Sequence, residues 1–188
     1  MRILLIDNHT VHIPKFLSLL LCDVQVVLME ELTSIDLNDY DGVVLSGGSR
    51  YVLLENLEKY GEEINIIKNF LKPLLGICMG FEVLCYTYGE KIEYLGFREL
   101  GALRIEIIKN DSILHKLNPD SFVYECHRWK VSQLSFLNVL AKSSYGVEIV
   151  KHPKLPHYGV QFHPEVLLKD QNAQQILINF LEIVREYR

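Results

Sequence analysis

The chain has 188 residues, 49% of them hydrophobic and 23% charged, which is the make-up of an ordinary globular protein with length for one domain and a substantial core. Its net charge is −5 and no local basic cluster offsets it, so neither nucleic acid nor an anionic membrane is an expected partner. No apolar run reaches the length of a membrane span, Asp7 interrupts the first one, and four cysteines form no C-x-x-C pair, so a reducing, cytoplasmic compartment is expected.

The first half alternates strand-like and helix-like patterns, the mark of a parallel sheet with helices on both faces. Ile3 to Ile6 reads as a buried strand, and a helical spacing follows from Ile13 to Leu21 with Pro14 near its start. Val24 to Leu28 is a second strand. Asp41 to Ser46 is a third, ending in Gly47-Gly48. Leu54 to Leu71 reads as one long helix, Pro73 to Ile77 as a fourth strand, and the next helix begins at about Met79.

After Gly89 the pattern shortens. Arg104 to Ile108, Phe122 to Cys126, Val139 to Lys142, Val147 to Lys151 and Tyr158 to Phe162 are brief runs broken by Asn, Asp, Pro and Gly, which suggests antiparallel or mixed strands added to the sheet. A closing helix places Ala173, Ile176, Leu177, Phe180, Leu181 and Val184 on one stripe, read as core. The expected fold is a single α/β domain over residues 1–188, flavodoxin-like, with a mostly parallel central sheet flanked by helices and antiparallel strands in its C-terminal half.

Two blocks carry chemistry. Gly76-Ile77-Cys78-Met79-Gly80 follows the apolar Leu74-Leu75 and has the G-x-Cys-x-G form of a nucleophile elbow, in which a sharp strand-to-helix turn exposes the thiol beside free helix amides. Val160-Gln161-Phe162-His163-Pro164-Glu165 supplies a base with a carboxylate two residues on, a spacing that a strand would place on one face. A lone Cys after an apolar run is usually a small buried hydrophobe, and it is the pairing of the two blocks that argues otherwise. Zinc would need Cys or His pairs at short spacing. The seven histidines are scattered, His9 and His12 being closest, so no metal or other cofactor is expected.

At these residues the chain resembles the class I, or triad, glutamine amidotransferases over nearly its whole length: Asp7-Asn8, Leu45 to Gly48, the Cys78 elbow, His127 followed by Val131, and Gly159 through Val166. The resemblance implies that Cys78 attacks the carboxamide of glutamine, that His163 is the base and Glu165 its orienting carboxylate, and that the amides of Gly48 and Met79 hold the oxyanion. It further implies a substrate site around Gly47, Glu82, His127, Arg128 and Trp129. Family members deliver ammonia to a synthetase, so a separate ATP-dependent synthetase chain is the expected partner, and within the family the chain looks most like the detached glutaminase subunits of archaeal-type GMP synthetases. Three departures stand out. Glu82 replaces the usual Gln after the elbow, Ser49 replaces Pro after Ser-Gly-Gly, and Cys126-His127-Arg128-Trp129-Lys130 is an unusual middle block. A glutaminase of anthranilate or aminodeoxychorismate synthase, a stand-alone cysteine hydrolase of γ-glutamyl amides and a non-catalytic relative remain open alternatives.

Overall fold

A computed structural model describes residues 1–119, 121–132, 134–169 and 171–188. Four parallel strands form the centre of one large sheet. β1 (Arg2–Asp7) pairs with β2 (Asp23–Leu28) and β3 (Gly42–Leu45), β3 pairs with β4 (Leu74–Ile77), and all of these pairings are parallel. These strands are short and nearly all apolar, as a sheet covered on both faces requires. Ile3, Leu5 and Val44 pack with Phe16 of α1 (Ile13–Leu19) on one face, whereas Leu4, Ile6, Val43 and Leu45 pack on the other with Ile66 and Ile67 of α2 (Gly61–Asn69) and Leu84 of α3 (Met79–Thr87).

The expected long helix from Leu54 to Leu71 is not formed. Two 3₁₀ turns, Leu53–Glu55 and Leu57–Tyr60, precede α2, with Asn56 between them at φ −138°, ψ 40°. The Asn56 amide donates to the Val52 carbonyl at 2.8 Å, a side-chain bond that competes with helix propagation.

In the second half, β5 (Ile92–Arg104) and β7 (Phe122–Val131) form a separate antiparallel ribbon, while β6 (Glu106–Ile107), β8 (Asn138–Lys142), β9 (Val147–Lys151) and β10 (His157–Val160) extend the main sheet. The order is β2-β1-β3-β4-β10-β9-β8-β6. β10 is not one of the antiparallel additions on both sides: it runs parallel to β4 and antiparallel to β9. Most of β5 escapes a periodicity reading because its register shifts between Tyr94 and Glu99, which breaks the alternation. α4 (Gln175–Tyr187) closes the chain, burying Ile176, Leu177, Phe180 and Val184 in the same cluster as Phe16, Leu75 and Val160.

The C-terminal ends of β1, β3, β4 and β10 lie side by side, so Asn8, Gly47-Gly48, Cys78 and His163 all emerge at one sheet edge. That edge is where open parallel sheets bind ligands, at the switch in strand order between β1 and β3.

Candidate active site

β4 ends at Ile77 and α3 begins at Met79, which leaves Cys78 alone in the turn at φ 51°, ψ −101°. A positive φ on a residue with a side chain is a strained conformation of the kind that clusters at functional sites. Neither neighbouring glycine takes a positive φ. They serve close approach instead, since a Cβ on Gly76 would stand 2.4 Å from the Gly80 carbonyl oxygen. The turn is pinned by Cys78 N–H donating to the Val160 carbonyl at 2.9 Å and Gly80 N–H to the Ser46 carbonyl at 3.2 Å. Met79 is the first residue of α3, so its N–H has no acceptor within the helix.

His163 and Glu165 lie in a turn rather than in a strand. β10 stops at Val160, and Val166 N–H folds back to the His163 carbonyl at 3.1 Å. That turn brings His163 Nδ1 to 2.8 Å from Glu165 Oε1, with both side chains buried. Gly47 packs against this imidazole and against Cys78: a Cβ built there would be 2.8 Å from His163 Cε1 and 3.4 Å from Cys78 Cβ.

A cavity of about 330 Å³ opens over the thiol, and it is lined by Gly48, Cys78, Met79, Glu82, His127, Arg128 and Trp129, every one of them a residue singled out in the sequence. The lining also includes Cys126, which opens the unusual middle block, and Arg98, which carried no sequence signal because it sits where the register of β5 shifts. Arg98 donates to Cys126 Sγ at 2.9 Å.

One expectation fails. The Cys78 thiol is buried, only 5% exposed, and donates to the Cys126 carbonyl at 3.9 Å. Burial pushes its pKa well above the ordinary thiol value, and Glu82, Glu125 and Glu165 add to the rise. Burial thus works against the thiolate form of Cys78 here, and the thiol is not exposed, contrary to the expectation from the sequence.

The cause lies partly in the acids in and around the cavity wall. Glu82 is buried in the first turn of α3, and burial raises its carboxyl to about 7 against the opposing pull of His127 and Gln161. His127 Nδ1 donates to the Trp129 carbonyl at 2.7 Å, and its Nε2 lies 3.1 Å from Glu125 Oε2. Burial pushes the Glu125 and Glu148 carboxyls up, and Glu125 adds to the rise at Glu148. Glu125 stands two residues before His127 on β7, and no sequence pattern joins it to Glu148 or Gln161.

His12 is a further residue that sequence reasoning passed over as a site group. Its ring meets His163 edge-on at 5.8 Å, and ligand atoms of His12, His163 and Glu165 lie within 4.8 Å of one another. His163 Nδ1 is already engaged by Glu165, so an ion held there would displace that hydrogen bond.

A parallel-sheet edge that carries a strained cysteine opposite a carboxylate-bound histidine is the arrangement of the thiol amidotransferases. The chain belongs to that family: the profile for glutamine amidotransferase class-I matches residues 4–183. Among curated relatives, the glutamine-hydrolyzing GMP synthase subunit of Methanococcoides burtonii is 32% identical over 152 residues, covering 78% of this chain and 75% of that one. The subunit of the same name from Saccharolobus solfataricus is 32% identical and covers 95% of this chain and 94% of its own length. The crystal structure of a candidate GMP synthase subunit from Thermoplasma acidophilum superposes with a TM-score of 0.88 at 28% identity, covering 100% of this chain and 96% of that one.

Proposed function

We propose that the chain is the glutaminase subunit of a two-subunit GMP synthetase, one domain over residues 1–188 working in the cytoplasm beside a separate ATP-dependent synthetase. The observation that carries the reading is the His163–Glu165 pair held against Gly47, which Cys78 also approaches. The relatives named above supply the choice of synthetase.

His163 takes the Cys78 proton as the sulfur attacks the carboxamide carbon of glutamine, and Glu165 stabilises the imidazolium that forms. The amides of Gly48 and Met79 receive the oxyanion, each donor contributing about 2.7–4 kcal/mol in comparable sites. Collapse of the intermediate breaks the C–N bond, and His163 returns its proton to the departing nitrogen, which leaves as ammonia. Water, deprotonated by His163, then hydrolyses the γ-glutamyl thioester to glutamate and regenerates the thiol. The amides of Arg128 and Trp129, at the cavity wall, face the α-carboxylate of the substrate.

The resting thiol supports dependence on a partner. It is buried, its pKa is pushed up by that burial, and it is turned toward the Cys126 carbonyl, all of which a partner that opens the cavity would relieve. Docking of a nucleotide-loaded synthetase over the cavity would favour the competent state, and a tenfold activation requires about 1.4 kcal/mol of differential binding. Glutamate release is measured with and without the ATP-dependent synthetase chain, ATP and xanthosine monophosphate. The expected result is slow release alone and a rise of about tenfold or more in the complex. Rapid release by the isolated chain, unaltered by the synthetase, would favour the stand-alone hydrolase.

A further inference from the structure

Glu63 is a buried carboxyl outside the cavity, and its contacts are unusual. It sits in the first turn of α2 and is 1% exposed. Its Oε2 accepts from Asn8 Nδ2 at 3.3 Å, while Oε1 is buried without a partner. Burying a carboxyl is costly, and an apolar side chain of similar volume would pack there at no such cost. The acid therefore calls for a reason beyond packing.

Asn8 supplies one. The same Nδ2 donates to the Ser46 carbonyl at 3.0 Å, and Asn8 N–H donates to Ser46 Oγ at 3.0 Å. Ser46 Oγ in turn donates to the Gly47 carbonyl at 2.9 Å. Gly48 lies directly on the Asn8 backbone, where a Cβ would stand 1.9 Å from the Asn8 carbonyl oxygen. Asn8 is thus the floor of the Gly47-Gly48 turn, tied to it by these hydrogen bonds and one close packing contact. Glu63, reaching in from α2, bonds the Asn8 amide and restrains its plane.

We propose that Glu63 is a positioning residue, which through Asn8 and Ser46 holds the Gly47-Gly48 turn with the Gly48 amide aimed at the oxyanion. The proposal rests on the glutaminase reading and adds to it a residue that touches neither substrate nor the reacting atoms. Burial raises the Glu63 carboxyl to about 8, with Glu30 adding to the rise and the Asn8 bond opposing it. In either protonation state the carboxyl keeps an oxygen that accepts from Asn8. The other titratable neighbour is the Tyr60 phenol, which Glu63 helps to hold in its protonated form.

Three variants test this in the synthetase complex, Glu63→Met, Glu63→Gln and Asn8→Ser. Glu63→Met keeps the volume and removes the acceptor. It should lower kcat for glutamate release about tenfold, leave KM within about twofold and change the thermal midpoint by no more than a few degrees. Glu63→Gln restores an acceptor and should return kcat to within about twofold of wild type. Asn8→Ser, which cuts the link at its other end, should lower kcat as Glu63→Met does, and the double variant should be no slower than the single ones. Hydrogen exchange in the peptide containing Gly47 and Gly48 should quicken in Glu63→Met and not in Glu63→Gln, a readout that does not depend on activity. Wild-type kcat and wild-type exchange in Glu63→Met, or equal losses in the Met and Gln variants, would overturn the proposal. A wild-type complex that releases no glutamate would instead overturn the glutaminase reading, leaving the exchange result to judge the role of Glu63 in the turn.

Discussion

The His163 ring stands so close to Gly47 that any side chain at Gly47 would collide with it, the nearest approach being 2.8 Å to Cε1. The imidazole is thus positioned from two sides, by Glu165 at Nδ1 and by the bare backbone of the Gly47-Gly48 turn at the ring edge.

Gly47→Ala is therefore expected to displace the imidazole while leaving the fold intact. A displacement of about 1 Å at a reacting group can cost about 100-fold in rate, so kcat should fall by that order with little change in the thermal midpoint. Steady-state kinetics of the complex and a melting curve check it. An alanine variant with wild-type kcat would mean that the ring has room which this packing denies.

Cys78→Ala should abolish glutamate release, a loss of several orders of magnitude, because removing the nucleophile of a triad costs that much. A chloroketone analogue of glutamine should label Cys78 alone, read by peptide mass spectrometry. Cys126 is the stringent control, since it lines the same cavity. A label on Cys126, Cys85 or Cys22 would sink the assignment of Cys78.

For Glu82, pH separates two roles. Its carboxyl is raised to about 7, so below that pH it is protonated and can donate to a bound amide, whereas above it the anion can only accept. The KM of wild type for glutamine is expected to rise between about pH 6 and 8, and Glu82→Gln should hold KM low and flat over that range, about three- to tenfold below wild type at pH 8. A variant whose KM matches wild type at every pH would show that the carboxyl does not meet the substrate.

Global stability should also depend on pH through these buried acids. Glu63, Glu82 and Glu125 have folded values raised above the ordinary 4.5, to about 8, about 7 and about 8, and Glu148 is raised as well. The folded state then keeps protons that the unfolded chain releases. That stabilisation is fully present below about pH 4.5 and is lost as pH climbs through the folded values, at about 1.4 kcal/mol per pH unit for each proton of difference. His157 acts in the opposite direction. Burial lowers it from 6.5 to about 4, and its two ring nitrogens bond the Tyr88 hydroxyl and the Phe70 carbonyl, so its contribution is lost as pH falls from 6.5 toward 4. The thermal midpoint should decline steadily from pH 6 to 9, and Glu125→Gln should flatten that slope. A midpoint unchanged across the range would contradict the buried, protonated state of these acids.

The sequence by itself determined the elements with a strong local cause. The apolar runs of β1, β3 and β4 are legible because strands covered on both faces must be apolar throughout, and α4 is legible because its stripe recurs at three and four residues. The elbow at Cys78 and the pair His163 and Glu165 are legible for a similar reason, since a tight turn and a base with its carboxylate demand particular residues at fixed short spacings.

Only the tertiary structure decided what depends on distant segments. The break at Asn56 follows from one side-chain bond, and the β5 ribbon from a register shift against β7. The parallel insertion of β10 beside β4 sets His163 next to Cys78, although 85 positions separate them in the chain. Burial of the thiol, the raised carboxyls of Glu82, Glu125 and Glu148, and the link from Glu63 through Asn8 to Gly48 all arise from desolvation and long-range hydrogen bonding. Neither leaves a periodicity or a motif in the chain, because each depends on which residues the fold brings together and on how much water it removes.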